Sequence, residues 1–171
     1  GTDHLGRDLF TRLIYAARVS MTTALTVVTI ATMIGIVIGL VAGYFGGWID
    51  NLVTRFIEFI STFPTFTLLL IASAIVIQSS EAIPIPGFVS FMVGAVMPIS
   101  EREANQVVLI ITIFIILGWT GVARFVRGMV LSIREQQYVE SARALGASHL
   151  YNMITHVLPN ALPPIIISYT L

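Results

Sequence analysis

Apolar and polar positions follow one another along this chain in blocks far longer than a helical turn. Three stretches contain no Asp, Glu, Lys or Arg: Val19–Ile49, Phe59–Ser80 and Ala104–Ala123. Crossing the apolar core of a bilayer takes about 20 mostly apolar residues, so each stretch predicts a transmembrane helix. A fourth apolar run follows Pro159 and covers 12 residues to Leu171, which predicts the start of a further span. Before the first block, "TDHLGRDLFTRLIYAARVS" places Leu5, Leu9, Leu13 and Ala17 at four-residue spacing among three Arg. That spacing predicts an amphipathic helix over 1–18, capped at Thr2 or Asp3. Such a helix either lies in the membrane interface or extends the first span. The abrupt polar opening at Gly1 and the short final run predict a fragment of a longer membrane protein.

The junctions set the boundaries. In "GYFGGWIDNLVTRFIEFISTFP" (43–64) the glycine pair breaks the first span, expected over 19–43, and Trp48 suits an interface. Asp50 is placed to cap a short helix within 44–62, and Pro64 opens a second span over 63–80. Residues 81–100, "EAIPIPGFVSFMVGAVMPIS", put Pro86 and Pro98 around 11 residues. As helix these reach about 17 Å against an apolar core of about 30 Å, so the segment is expected to be external or re-entrant. Ser100 with Glu103 forms a capping box for a helix over 101–134. At 1.5 Å per residue that helix is about 50 Å long and extends past the membrane with Arg124, Arg127 and Arg134. Positive residues favour the cytoplasm, so this end and 44–62 are expected inside and the N-terminal segment outside. The three N-terminal Arg pull the other way.

Ala31, Gly35, Gly39 and Gly43 recur every four residues in the first span. Small residues on one helix face let another backbone approach where lipid supplies no hydrophobic drive. The ladder predicts helix packing without naming the partner.

Composition supports the membrane reading: 56% of residues are hydrophobic and 11% charged, against about 25% charged in a typical soluble domain. Mean hydropathy is +0.92. All nine basic residues are Arg. A phosphate-binding Walker A loop needs its Lys, so these residues carry no such loop and no lysine Schiff base. Without Cys, neither a disulfide nor a thiolate metal site is expected, and zero net charge argues for no nucleic-acid partner. No catalytic motif is present. His149 and His156 lie two turns apart, about 10.5 Å along a helix, too far to share one ion. They are read as a polar helix face, and neither metal nor cofactor is expected. The spans hold no ionisable residue of the kind that marks proton relays. Thr22, Thr23, Thr26, Thr29 and Thr32 either line a polar path or bond to neighbouring backbone. The fold class that follows is an all-α, polytopic integral membrane bundle.

Any chemistry must then come from a partner, and the polar stretch "EQQYVESARALGASHLYNMITHVLPN" (135–160) is where one would attach. Tyr138–Leu145 predicts a short helix with Glu140 and Arg143 on its polar side. Gly146 allows a turn at low steric cost. A second helix follows, with Leu150, Ile154, Val157 and Leu158 as its apolar face, and Pro159 ends it or begins the next span. A flexible linker would use Gly, Ser and Pro throughout. This composition predicts either a rigid two-helix knob or an ordinary packed extramembrane loop.

Glu140, Ala142, Gly146, Leu158 and Pro159 fall on the pattern Glu-Ala-Ala, Gly four residues on, and hydrophobic-x-Leu-Pro after nine more. Ser141 replaces the first Ala, and His156 stands where Ile is commonest. This resembles the EAA loop of binding-protein-dependent ABC importer permeases. "GTDHLGRDLFTRLIYAARVS" and "GYFGGWIDNLVTR" further resemble the dipeptide, oligopeptide and nickel branch; segment 83–100 has no counterpart expectation. The resemblance implies a permease bundle, here three spans and part of a fourth, with 135–159 as a cytoplasmic coupling loop and 160–171 entering the next span. It implies that Tyr138, Glu140, Ser141, Ala142, Arg143, Ala144, Leu145, Gly146, Ala147, Leu158 and Pro159 serve coupling to an ATPase. It implies as partners two ABC ATPase subunits, a second permease, most often a different homologous chain, and an extracytoplasmic substrate-binding protein. The location implied is a bacterial or archaeal cytoplasmic membrane, the cargo peptide or nickel, and ATP hydrolysis on separate chains. The alternatives are a passive pore subunit, suggested by the Thr-rich uncharged first span, and a non-transporting assembly module built on the glycine ladder.

Overall fold

In the computed structural model, residues 1–2, 4–78 and 101–170 are described. Apart from an isolated bridge between Thr2 and Asp8, their regular structure is helical. The elements are α1 Leu9–Phe45, α2 Gly47–Ser61, α3 Thr65–Gln78, α4 Glu101–Ile133, α5 Gln137–Ala144 and α6 His149–Asn152. A π-helical turn over Met153–Val157 then runs directly into α7, Leu158–Thr170. The expected all-α class is the observed one. Leu9–Phe45 and Gln106–Ile133 are each long and apolar enough to cross a membrane. Helix α3 opens just after Pro64 and is helical for 14 residues to Gln78. The end of the expected second span, the external or re-entrant segment 81–100 and the Ser100 capping box lie outside the described residues.

Two compact units divide the chain, Gly1–Ile30 with Pro64–Ile115, and Ala31–Phe63 with Ile116–Leu171. In the first, the amphipathic helix expected over 1–18 is not a separate element. Gly6 takes φ +77° in a turn, and α1 begins at Leu9 and continues unbroken. The residue that caps it is Asp8, whose carboxylate accepts hydrogen bonds from the backbone N–H of Phe10 and Thr11, both 3.3 Å. These are two of the N–H groups a helix start leaves without partners. Hydrogen bonds from Thr11, side chain first and then backbone, hold the Asp8 carboxyl below its ordinary pKa. A cap at Thr2 lies too early, because α1 begins only at Leu9; Asp3, the other expected cap, lies outside the described residues. Further along α1, the Thr22 and Thr26 hydroxyls donate to the carbonyls of Arg18 and Thr22, each 2.8 Å. Bonded to their own helix, these two do not present free hydroxyls to a polar path.

The second unit holds the cores. One joins Leu40 and Tyr44 of α1, Val122, Val126 and Val130 of α4, and Val139, Met153, Val157, Ala161 and Ile165 from the later segments. Another gathers Ala31, Ile57, Trp119 and Ala123. The glycine ladder faces α4. A Cβ on Gly35 would lie 2.9 Å from the Trp119 carbonyl oxygen and one on Gly39 2.6 Å from that of Ala123. On Gly43 it would lie 2.8 Å from Val130 Cβ and 2.9 Å from the Arg127 carbonyl oxygen. The ladder's contact is thus with α4 of the same chain, backbone against backbone.

Gly46 and Gly47 take φ +66° and +57°, which turns the chain sharply into α2. Asp50 does not cap this helix. Its carboxylate is held by Arg127 of α4 through two hydrogen bonds, the Nη2–Oδ2 one 2.7 Å. A bidentate guanidinium partner outcompetes a local N–H. The N-cap position belongs to Gly46, without a side-chain bond.

Candidate functional site

The polar stretch folds as two short helices joined at Gly146, seated on the end of α1 and α4. Gly146 takes φ +86°, a left-handed conformation that side-chain-bearing residues adopt only under strain. Nothing lies within 4 Å of where its Cβ would be, so the glycine is there for its backbone and not for space. Ser148 caps α6 by accepting a hydrogen bond from the Tyr151 N–H at 3.3 Å.

Three apolar residues within the polar stretch hold the knob down: Val139, Met153 and Val157 are buried in the α1–α4 core. This differs from the apolar face expected on the second helix. Leu150 and Ile154 are 62% and 54% exposed, Val157 is buried and Leu158 half-buried. The core-facing stripe is rotated to Met153, Val157 and Ala161, because the π turn shifts the helical register between His149 and Leu158. Pro159 is the second residue of α7, and the π turn runs into that helix without a break. Pro159 lacks the N–H that would reach the Thr155 carbonyl, and its ring would crowd that carbonyl; the wider turn directly before it gives room. Asn160 Nδ2 donates to the carbonyl of His156 at 2.6 Å.

The sequence-predicted coupling residues fall into two places. Apart from the buried Val139, Tyr138 through Ala147 lie at the surface, with Tyr138, Glu140, Ser141, Arg143, Ala144, Leu145 and Gly146 exposed and Ala142 and Ala147 half-buried. Leu145 at the tip is 88% exposed. An open groove of about 550 Å³ runs beside it between Ala142, Ala147, Tyr151 and His156. Leu158 and Pro159 instead lie beyond the π turn, where Leu158 packs on the core. The two histidines face different partners. His149 lies against Tyr44 and Phe45, and His156 against Tyr138 and Tyr151.

Sequence reasoning named Arg134 only as a charge past the membrane and Val157 only with Leu150 and Ile154, and it passed over Val139 and Met153, the other residues that seat the knob. Arg134, just past α4, donates from Nη1 to the carbonyls of Gly43 at 3.0 Å and Tyr44 at 3.4 Å. It satisfies carbonyls that the end of α1 leaves open. Val139 is the lone aliphatic in "QQYVES", and Met153 and Val157 recur at four-residue spacing. Those were the available signals. Asn152 carried none, and is wholly buried with neither side-chain polar atom partnered.

Comparison with known proteins adds a decisive observation. The family described as "Binding-protein-dependent transport system inner membrane component" matches residues 35–171. The chain belongs to that family. The matched region contains the glycine ladder from Gly35, α2, α4 and the two-helix knob. The dipeptide transport system permease protein DppC of Alkalihalophilus pseudofirmus is 35% identical over 171 residues, all of this chain and 47% of that protein. The glutathione transport system permease protein GsiD of Shigella flexneri is 36% identical over 171 residues, again all of this chain and 48% of the relative. The peptidoglycan transport system permease protein YejE of Agrobacterium fabrum is 35% identical over 162 residues, 95% of this chain and 35% of the relative. The chain thus spans less than half the length of these curated relatives. Membership in the family agrees with the resemblance read from Glu140, Gly146 and Pro159.

Proposed function

We propose that this chain is part of the transmembrane permease subunit of an ATP-driven importer for peptides or peptide-like solutes, working in a bacterial or archaeal cytoplasmic membrane. In this reading the knob at 137–157 is the coupling element, presented to the cytoplasm. ATP hydrolysis takes place on two separate ATPase subunits. A second permease subunit completes the path, and an extracytoplasmic binding protein delivers the cargo. The relatives' names, dipeptide, glutathione and peptidoglycan, support a peptide-like cargo over nickel.

The observation that carries the reading is the knob's two-sidedness. Val139, Met153 and Val157 are sealed into the α1–α4 core, while Leu145, Leu150, Tyr151 and Ile154 stay exposed. A loop meant only to connect spans has no reason to hold apolar residues outward in a polar setting. Exposed apolar residues ringed by Glu140, Ser141 and Arg143 have the make-up of a protein-docking surface. Docked there, an ATPase would push on a body fixed to two long helices.

The test uses the whole transporter. Gly146→Pro and Glu140→Lys should leave insertion intact while uptake falls away from ATP hydrolysis, measured together in proteoliposomes. Normal uptake in both variants would refute the coupling role. A cysteine placed at Ser148 should resist an impermeant thiol reagent in right-side-out vesicles. Labelling from outside would put the knob on the wrong face for any ATPase.

A further inference from the structure

Apolar packing holds the knob down but does not fix its orientation, because such contacts weaken little when side chains slide past one another. Hydrogen bonds lose strength steeply with angle. A directional set converges on one residue outside the loop, Tyr44 in the last turn of α1. The Tyr44 side chain is nearly enclosed, with 3% of the residue exposed. The Arg143 guanidinium of α5 lies over its ring, 4.7 Å from the centroid. Arg143 Nε donates to the Tyr44 hydroxyl oxygen at 3.3 Å. His149 of α6 meets the same hydroxyl through Nδ1 at 3.3 Å, and its ring stands edge-on to the tyrosine at 5.8 Å. The Tyr44 backbone carbonyl, in turn, accepts from Arg134 beyond α4.

We propose that Tyr44 is a positioning residue for coupling: its ring and hydroxyl lock both short helices to the end of α1. A displacement of α5 then moves α1, and the glycine ladder beginning one residue earlier at Gly43 carries that movement to α4. The inference rests on the importer reading above and names the joint through which its coupling loop acts. Phenylalanine would preserve the ring under Arg143 but lose both hydroxyl hydrogen bonds. Tyr44→Phe therefore isolates the directional contacts from the packing.

The experiment reconstitutes the complete transporter with its ATPase subunits and binding protein. It reads radiolabelled dipeptide imported per ATP hydrolysed for wild type, Tyr44→Phe, Arg143→Lys, their double variant and Gly146→Pro. Losing the hydroxyl bonds should lower this ratio about five-fold, and adding Arg143→Lys should lower it no further than the two single effects overlap. A residue serving only stability would reduce assembled complex while each assembled transporter kept its ratio. If Gly146→Pro lowers the ratio and Tyr44→Phe leaves it unchanged, the inference falls and the function stands. If Gly146→Pro leaves it unchanged, the coupling reading falls and takes this inference with it. Should Tyr44→Phe fail to assemble, Arg143→Lys alone decides: an unchanged ratio overturns the proposal.

Discussion

Replacing Gly39 by alanine tests the contact on which the second unit is built. A Cβ at this position would stand 2.6 Å from the Ala123 carbonyl oxygen, 2.8 Å from Val126 Cβ and 3.1 Å from the Arg127 nitrogen. Ordinary contact distances are nearer 3.5 Å, so α1 and α4 must separate by most of an ångström along this stretch. Two of the three obstructing atoms belong to backbone and cannot rotate away. A gap of 0.5–1 Å forfeits about a quarter to a half of each dispersion contact across it, and overpacking of this kind costs about 1–3 kcal/mol. Alanine returns about 1 kcal/mol through its higher helix propensity, leaving Gly39→Ala destabilising by up to about 2 kcal/mol. The comparison is Gly121→Ala on α4, where nothing lies within 4 Å of the new Cβ; there only the propensity gain remains. Gly118→Ala, 3.6 Å from Ala31 Cβ, should fall between them. Thermal unfolding of the purified complex in detergent, followed by loss of its monodisperse peak, ranks the three. A Gly39→Ala protein as stable as Gly121→Ala would mean that the two helices are not in backbone contact.

The Asp50–Arg127 pair, 14% and 28% exposed at its side chains, should give a coupling energy of about 1–3 kcal/mol in a double-mutant cycle of Asp50→Asn and Arg127→Gln followed by detergent unfolding; additive single effects would show that the pair contributes nothing. Gly146→Ala should destabilise the knob by about 1–2 kcal/mol through left-handed strain, read as faster proteolysis between α5 and α6, and an unchanged rate would contradict the φ of +86°. Asn152→Leu should be neutral or stabilising, because it removes buried polar atoms without partners, whose desolvation costs about 1–3 kcal/mol. A clear loss of stability would show that Asn152 has a partner in the assembled protein.

Several of these features were legible in the sequence because they depend on local or periodic chemistry. The charge-free runs from Val19 and Ala104 announced long apolar helices, since backbone in lipid must satisfy its own hydrogen bonds. The four-residue spacing of Ala31, Gly35, Gly39 and Gly43 declared a face built for close approach, and Gly146 marked the turn between the short helices. The spaced motif from Glu140 to Pro159 pointed to the family that was matched. The tertiary structure decided what each face meets. A glycine ladder has no side chains to specify a partner, so only the fold shows that α4 fills it. Asp50 looked like a cap because Arg127, 77 residues away, is invisible to local reasoning. The apolar stripe after Gly146 was misplaced at Leu150 and Ile154, because periodicity assumes an uninterrupted α-helix and the turn at Met153–Val157 is π-helical. Tyr44 carried no signal of its own in the sequence; its meeting with Arg143 and His149 exists only once the chain has folded back on the end of its first long helix.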